Sequence, residues 1–457
     1  MGLQAKCALF QITSQHNRTR IMSTLRPVSS LLFTTAFLLA GHGLHMTFLP
    51  LRASELGLSQ TLIGLSGSAY FAGFLTGALM IPPIIARVGH IRSFTALLAI
   101  FLSSFLFLSL VDEGIFWVLV RFVLGAAMCG SYTVIESWLA EQSDSSRHGR
   151  VLSVYTAIVL VSMAVGQYLL GLTEANPLYP FIFVSLLVGL AIVPVSLTRA
   201  LAPAPVPATR FNFFKLYRRS HTAFAGALGS GVVMGGFWGL GAIYALAQTN
   251  DPSFVPMFIA ANIIGGALAQ YPIGMASDRI DRRYVLGALC AASGLSAFGL
   301  LMADTRDALL LGAFAFGAFA NSLYAVSLAK AADNSKSEEF VTIGSSVLLL
   351  NALGSASSAL FVGWAMRSLG DGALFGFLGV ASLITGVFII LQPPGRTAVT
   401  IEEQGTFIPA TSAMAPAAFD QDPRSEEEVE YEPVIPPDSE LDAPLEFTDT
   451  EVSGATA

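Results

Sequence analysis

Residues 115–140 read IFWVLVRFVLGAAMCGSYTVIESWLA. Across that stretch only Arg121 and Glu136 carry charge. Crossing the hydrocarbon of a bilayer takes about 20 consecutive apolar residues in a helix. A strand of a membrane barrel would alternate every second residue and stop after about 10. The run is therefore read as a membrane-spanning helix. Eleven more such runs fall at 28–50, 60–85, 93–111, 151–172, 179–198, 221–247, 253–276, 284–303, 307–331, 340–366 and 370–392. With eleven similar spans behind it, 28–50 is not a cleaved signal. Composition agrees. Hydrophobic residues make up 54% of the 457 and charged residues 12%, against roughly 25% charged in soluble domains. The fold class expected is an all-α membrane protein with twelve transmembrane helices.

Loop charge gives the expected orientation, because Lys and Arg collect on the cytoplasmic side. With the N-terminus inside, inner loops and flanks hold nineteen basic residues, and the outer loops hold three: Arg52, Arg306 and Arg367. Both termini are expected in the cytoplasm of a bacterial inner membrane. The connection 199–220 carries Pro203, Pro205 and Pro207, then Arg210, Lys215, Arg218 and Arg219. It reads as a stiff cytoplasmic linker between two six-helix bundles, 28–198 and 221–392. Residues 1–27 form an N-terminal segment, within which Met22 offers a second start. From Ile401 onward there are fifteen acidic residues and one basic, Arg424. The segment 393–457 is thus expected to be a disordered acidic cytoplasmic tail, inert or bound to a soluble partner.

The two halves repeat. Shifted by 192 positions, Gly73 meets Gly265, Arg87 meets Arg279, Gly125 meets Gly317, Tyr132 meets Tyr324, Glu141 meets Asp333 and Gly171 meets Gly363. Two pseudo-symmetric bundles imply a binding site at their interface, near the bilayer midplane.

Two loops carry a shared pattern. After the eighth span stand Gly274, Asp278, Arg279, Asp281, Arg282 and Arg283; after the second stand Arg87, Gly89, His90 and Arg92. These resemble the G-x-x-x-D-R-x-G-R-R loop of the major facilitator superfamily. Asp281 replaces a glycine of that pattern, and Ala86 stands where the first copy should hold its Asp. The resemblance covers 28–392. Over 43–150, Leu49-Pro-Leu-Arg52, Gly67-Ser-Ala-Tyr70-Phe-Ala-Gly73, Val88-Gly89-His90-Ile91-Arg92, Glu136-Ser-Trp-Leu and Gly149-Arg150-Val-Leu-Ser153 are similar to its YcaD-type subgroup. The loops are expected to gate the cytoplasmic mouth, an Asp at one helix end pairing with Arg across the half-interface. Glu141, Arg147 and Arg150 join that gating set. The other reading is that these are ordinary positive-inside residues.

Arg121 and Glu136 lie within a span, where a charge is costly unless it faces a cavity or a partner. Fifteen positions separate them by roughly 22 Å of helix, too far to pair. The resemblance implies that an Arg in this part of the fourth span tunes a proton site; the alternative is that Arg121 snorkels to the outer headgroups. Glu136 either carries a proton or substrate or belongs to the inner gate with Arg147 or Arg150. His42 and His45 titrate near neutrality in their free form and are candidate proton carriers or hydrogen-bonded packing residues. Gln167, Asn262, Gln270, Asn321 and Asn351, with Tyr70, Tyr132, Trp238, Tyr244 and Tyr324, are candidates for a cavity wall or for glue between helices.

No phosphate-binding G-x-x-x-x-G-K-[ST], no H-E-x-x-H, no G-x-S-x-G and no C-x-x-C occurs. Neither a cofactor nor a metal is expected, nor a nucleic-acid partner, and no catalytic residues are assigned. The expectation is a secondary transporter, not an enzyme. It would move a small neutral, amphipathic or aromatic solute by alternating access and be driven by protons. Efflux is favoured over uptake. The rival is a receptor or scaffold on a transporter fold that signals through the acidic tail.

Overall fold

The computed structural model describes residues 29–141, 148–173, 176–197 and 210–392, with 404, 405, 407, 409 and 410. The N-terminal segment 1–27, most of the Pro-rich connection and most of the acidic tail lie outside the described residues. Fourteen α-helices and no strand occur among those described. They are α1 Ser29–Glu55, α2 Gln60–Met80, α3 Pro82–Val88, α4 His90–Phe107, α5 Gly114–Glu141, α6 His148–Gly171, α7 Tyr179–Ser196, α8 Phe213–Arg219, α9 His221–Thr249, α10 Phe254–Arg279, α11 Arg282–Leu301, α12 Arg306–Asp333, α13 Ser337–Leu369 and α14 Ala373–Leu391. Twelve are long and apolar enough to cross a membrane; α3 and α8 are single short helices of seven residues.

The spans fall where the apolar runs predict them, with instructive shifts. The run 60–85 is broken, because α2 stops at Met80 and α3 starts at Pro82. Pro82 and Pro83 lack the N–H that a continuing helix needs, yet fit the first turn of a new one. Gly89 closes α3 with φ of 92°, a backbone region that glycine alone enters freely, and the chain turns at once into α4. The end of the expected linker is helical rather than extended. Asn212 caps α8 by accepting from the Lys215 N–H at 2.8 Å, and Lys215 and Arg219 pair with Glu339 of α13 at 3.0 and 3.1 Å. Other starts follow the same rule of a side-chain oxygen taking an orphan N–H. Ser59, Ser220 and Thr305 cap α2, α9 and α12 in this way.

Helices α1, α5, α9 and α13 are mostly buried, while α4, α7 and α14 present most of their length to the surroundings. Glycine sets how closely the inner helices cross. A methyl group on Gly73 would strike the Phe122 carbonyl, and one on Gly125 would strike that of Tyr70, so α2 and α5 meet backbone to backbone. The pattern recurs 192 positions on: Gly265 against Phe314 and Gly317 against Asn262 join α10 to α12. A second reciprocal crossing joins α1 to α6, through Gly43 on Met163 and Gly166 on Ala40. Its counterpart joins α9 to α13, through Gly231 on Asn351 and Gly354 on Leu228, at a shift of 188. The repeat is thus physical, but its register differs by four residues, about one turn, for these helices. For that reason Gly171 and Gly363 are not equivalent: nothing stands near Gly171, whereas Gly363 packs on Gln60.

The first six spans meet the last six chiefly along two seams, with α9 also against α1 and α2. In one, α2 lies on α13, with Gly64 against the Ala359 carbonyl and Gly363 against that of Gln60. Gln60 also donates to Asp371 at 2.6 Å. In the other, α6 lies beside α10 and a groove of about 380 Å³ opens between them. Arg87, Arg279 and Arg282 all lie at one end of the bundle, the basic face, opposite the end that holds Gln60.

Candidate functional site

Between the two halves lies a cavity of about 100 Å³. From the first six spans it takes His42 and Met46 of α1, Tyr70, Phe71 and Phe74 of α2, Tyr132 of α5 and Met163 of α6. From the last six it takes Met234 and Trp238 of α9, Gln270 of α10, Asn321 and Tyr324 of α12 and Asn351 of α13. The wall is chiefly aromatic and thioether, with a few polar groups set among them, the usual make-up of a small-molecule site.

Its polar centre is a ring cluster. His42 lies 5.0 Å from His45, 6.0 Å from Tyr70 and 6.1 Å from Tyr132, centroid to centroid. Nδ1 of His42 and the hydroxyls of Tyr70 and Tyr132 are buried and meet no partner in the protein. A buried polar atom left unpaired costs about 1–3 kcal/mol, so three of them on residues that line the cavity suit it to a ligand that accepts or donates hydrogen bonds. His45 stands behind His42, fully buried between Phe101 and Phe105.

Arg121 backs this cluster without lining the cavity. Its side chain is buried, its guanidinium carbon stands 4.7 Å from the Tyr70 ring centre, and Nη1 donates to the Met46 sulfur at 3.7 Å. It therefore turns inward and does not snorkel to the headgroups. Glu136 is also buried, farther along α5, and accepts from the Tyr155 hydroxyl of α6 at 2.9 Å. The structure does not bring Arg121 and Glu136 together, as their spacing on one helix predicts.

The other expected residues divide by role. Tyr132, Trp238, Asn321, Tyr324 and Asn351 reach the cavity, as do Tyr70 and Gln270. Asn321 ties α12 to Asn262 of α10 at 3.3 Å, and Asn351 donates to Ser230 of α9 at 2.8 Å. Gln167 is away from the cavity and donates to the Gly43 carbonyl at 2.7 Å, joining α6 to α1. Asn262 is likewise buried between helices. Tyr244 donates to the Leu300 carbonyl at 2.8 Å and is outside the wall. The methionines Met46, Met163 and Met234 enter the wall unannounced, since an apolar residue in an apolar span carries no sign of which way it points.

A second constellation occupies the basic face. Arg282 is buried to 1% exposure. It donates to Ser277 at 3.0 Å, to the Ala329 carbonyl at 3.0 Å and to Asp278 at 3.2 Å, and pairs with Asp333. The partner of Asp278 is thus Arg282 rather than Arg279, and the network lies within α10, α11 and α12 instead of crossing between the halves. Arg283 donates to the Ile389 carbonyl at 3.1 Å and to that of Ile390. Lys330 pairs with Asp281 at 3.3 Å. In the first copy of the loop, His90 meets Ser137 at 3.1 Å, and no ion pair to Arg87 or Arg92 occurs among the described residues. The side chains of Glu141, Arg147 and Arg150 lie outside the described residues.

Three comparisons place this architecture. The sequence profile of the Major Facilitator Superfamily matches residues 31–248 and 223–424. An uncharacterized MFS-type transporter, YcaD, of Salmonella arizonae is 26% identical over 379 residues, which are 82% of this chain and 98% of that one. The crystal structure of the nucleoside transporter NupG superposes with a TM-score of 0.67 at 12% identity, covering 80% of this chain and 98% of the other. A bacterial homolog of the human lysosomal transporter Spinster, solved inward-facing and unoccupied, gives a TM-score of 0.59 at 15% identity over 84% and 97%. The family match covers most of the chain, and with it the twelve-span bundle and its central cavity: the chain belongs to the Major Facilitator Superfamily of multi-pass membrane transporters and is similar to YcaD.

Proposed function

We propose that the chain moves a small amphipathic or aromatic organic solute across a bacterial plasma membrane by alternating access, outward, in exchange for protons. The carrying observation is the division of the central wall between the two halves: His42, Tyr70 and Tyr132 on one side, Trp238, Gln270, Asn321 and Asn351 on the other. A solute held by both sides is released when 28–198 and 221–392 rock apart at either end. Aromatic and amide groups suit a flat body with one or two polar atoms. His42 at the wall and Glu136 in the α5–α6 seam are the titratable groups assigned to the proton path. The nineteen basic residues of the loops assigned as inner support a cytoplasmic basic face, and with it cytoplasmic termini.

The test is flux of aromatic solutes into or out of liposomes that hold the purified protein, with an imposed pH gradient. Solute movement that follows the gradient, and that falls at least about tenfold in Glu136→Gln and His42→Gln, supports the reading. Movement that ignores the gradient removes the protons from it. Wild-type flux in both variants removes the assigned residues.

A further inference from the structure

The structure assigns the surface that runs along α10 from the Asp278–Arg282 turn to the edge of the α6–α10 groove, at the basic face, as a peptide-docking site whose occupant is a segment of this chain's own acidic tail, around Phe407. The inference rests on the transport reading only for its consequence, that the segment must leave before solute can pass at this face.

The contacts are specific. The Gly405 carbonyl accepts from Nη2 of the buried Arg282, and the Gly405 N–H donates to Asp333 at 3.3 Å. The Phe407 N–H donates to Asp278 at 2.8 Å. The Phe407 ring lies so close to α10 that a methyl group on Gly274 would collide with it. Pro409 lines the groove beside Thr156 of α6 and Tyr271 of α10. At the deep end, the buried Ala410 accepts from Gln270 at 3.2 Å, and Gln270 also lines the central cavity.

These contacts match the groove in both length and chemistry. Asp278 and Gln270 are eight residues apart on α10, about 12 Å. Extended chain covers about 3.3–3.6 Å per residue, so the three steps from Phe407 to Ala410 can cover at most about 10–11 Å, and the side chains of Asp278 and Gln270 reach over the remainder. Each backbone group named takes a bond that α10–α12 would otherwise leave open. Arg282 loses one acceptor, and Asp278 and Asp333 each lose one donor, when the segment departs. The loop that carries Gly274, Asp278 and Arg282 is therefore a receptor for the tail as well as a helix connection. An acidic tail, otherwise unsuited to an anionic lipid surface, is held here through its least acidic stretch.

Two measurements test this. First, a fluorescent peptide of residues 404–412 is titrated onto protein truncated before Gln404, read by anisotropy, which needs no transport. Saturable binding to the truncated chain, weakened at least about tenfold when Phe407 is replaced by Ala in the peptide, is expected. Equal binding by both peptides, or none by either, overturns the docking site. Second, full-length Phe407→Ala and the truncated chain are compared with the intact chain for solute flux in liposomes. Both are expected to run several-fold faster, and added peptide is expected to slow the truncated chain. Unchanged flux with sound peptide binding overturns the blocking role. No flux in any form, with sound peptide binding, tells against the transport reading and leaves the docking site standing.

Discussion

The guanidinium of Arg121 stands over the Tyr70 ring at 4.7 Å, and no carboxylate lies within ion-pair reach of it among the described residues. Its neutral contacts are the ring and the Met46 sulfur. A buried cation held this way has lost its water and regained only part of that energy, since a desolvated cation–π contact returns about 2 kcal/mol. Arg121→Met is expected to raise the melting temperature of the purified protein while lowering solute flux by about tenfold or more. Thermal unfolding beside liposome flux checks both signs; a variant that loses stability shows that the charge is compensated after all.

The glycine crossings give a test with an internal control. Alanine at Gly125 or Gly317 drives a methyl group into the carbonyl of Tyr70 or Asn262. Overpacking of this kind costs about 1–3 kcal/mol. Gly171→Ala and Gly189→Ala meet nothing and, inside helices, should be neutral or slightly stabilising. Unfolding in detergent should separate the two pairs cleanly.

Arg282 and Arg279 should behave oppositely although they lie three residues apart. Removing one partner of a buried ion pair costs about 3–5 kcal/mol. Arg282→Gln leaves Asp333 buried beside a neutral amide and should yield little folded protein. Arg279→Gln should leave yield and melting temperature near wild type. Size-exclusion profiles of the two variants decide the matter.

The bond from Gln60 to Asp371 ties the halves together at the end away from the basic face. Replacing both with cysteine and bridging them with a short bis-methanethiosulfonate reagent is expected to lock this end, the reagent spanning the reach that the Gln60 side chain now covers. The cross-linked protein should stop moving solute, and a reducing agent should restore it. Continued flux after complete cross-linking would mean that this end need not open.

Sequence and structure agree most where physics is cumulative. Twenty apolar residues in a row leave one option, so all twelve spans are legible; ends shift by a few residues, and only Pro82 splits a run in two. The repeat is legible at Gly73 and Gly125, because backbone contact admits no other residue. It slips at Gly171, where no neighbour enforces the register. In the site, aromatic and amide residues such as Tyr132, Trp238 and Asn351 stand out against an apolar background. Gln167 stands out just as clearly and is spent on the Gly43 carbonyl instead. Side-chain type does not say which face of an all-apolar helix is inward, which hides Met46 and Met163. The docked part of the tail is hidden for another reason: averaged over its length, the segment is acidic and polar, and Phe407 and Pro409 disappear into that average.

Gly64 and Gly363 touch main chain to main chain, with no side chain between them to compress or rearrange. Such a point resists translation and permits rotation. While this end stays shut, a turn of about 10° around it would carry the opposite edge of the bilayer core, about 30 Å distant, through about 5 Å. A passage at the basic face wide enough for a planar ring would then need no helix to melt, bend or unwind: leverage alone would suffice, and the pivot weighs two hydrogen atoms.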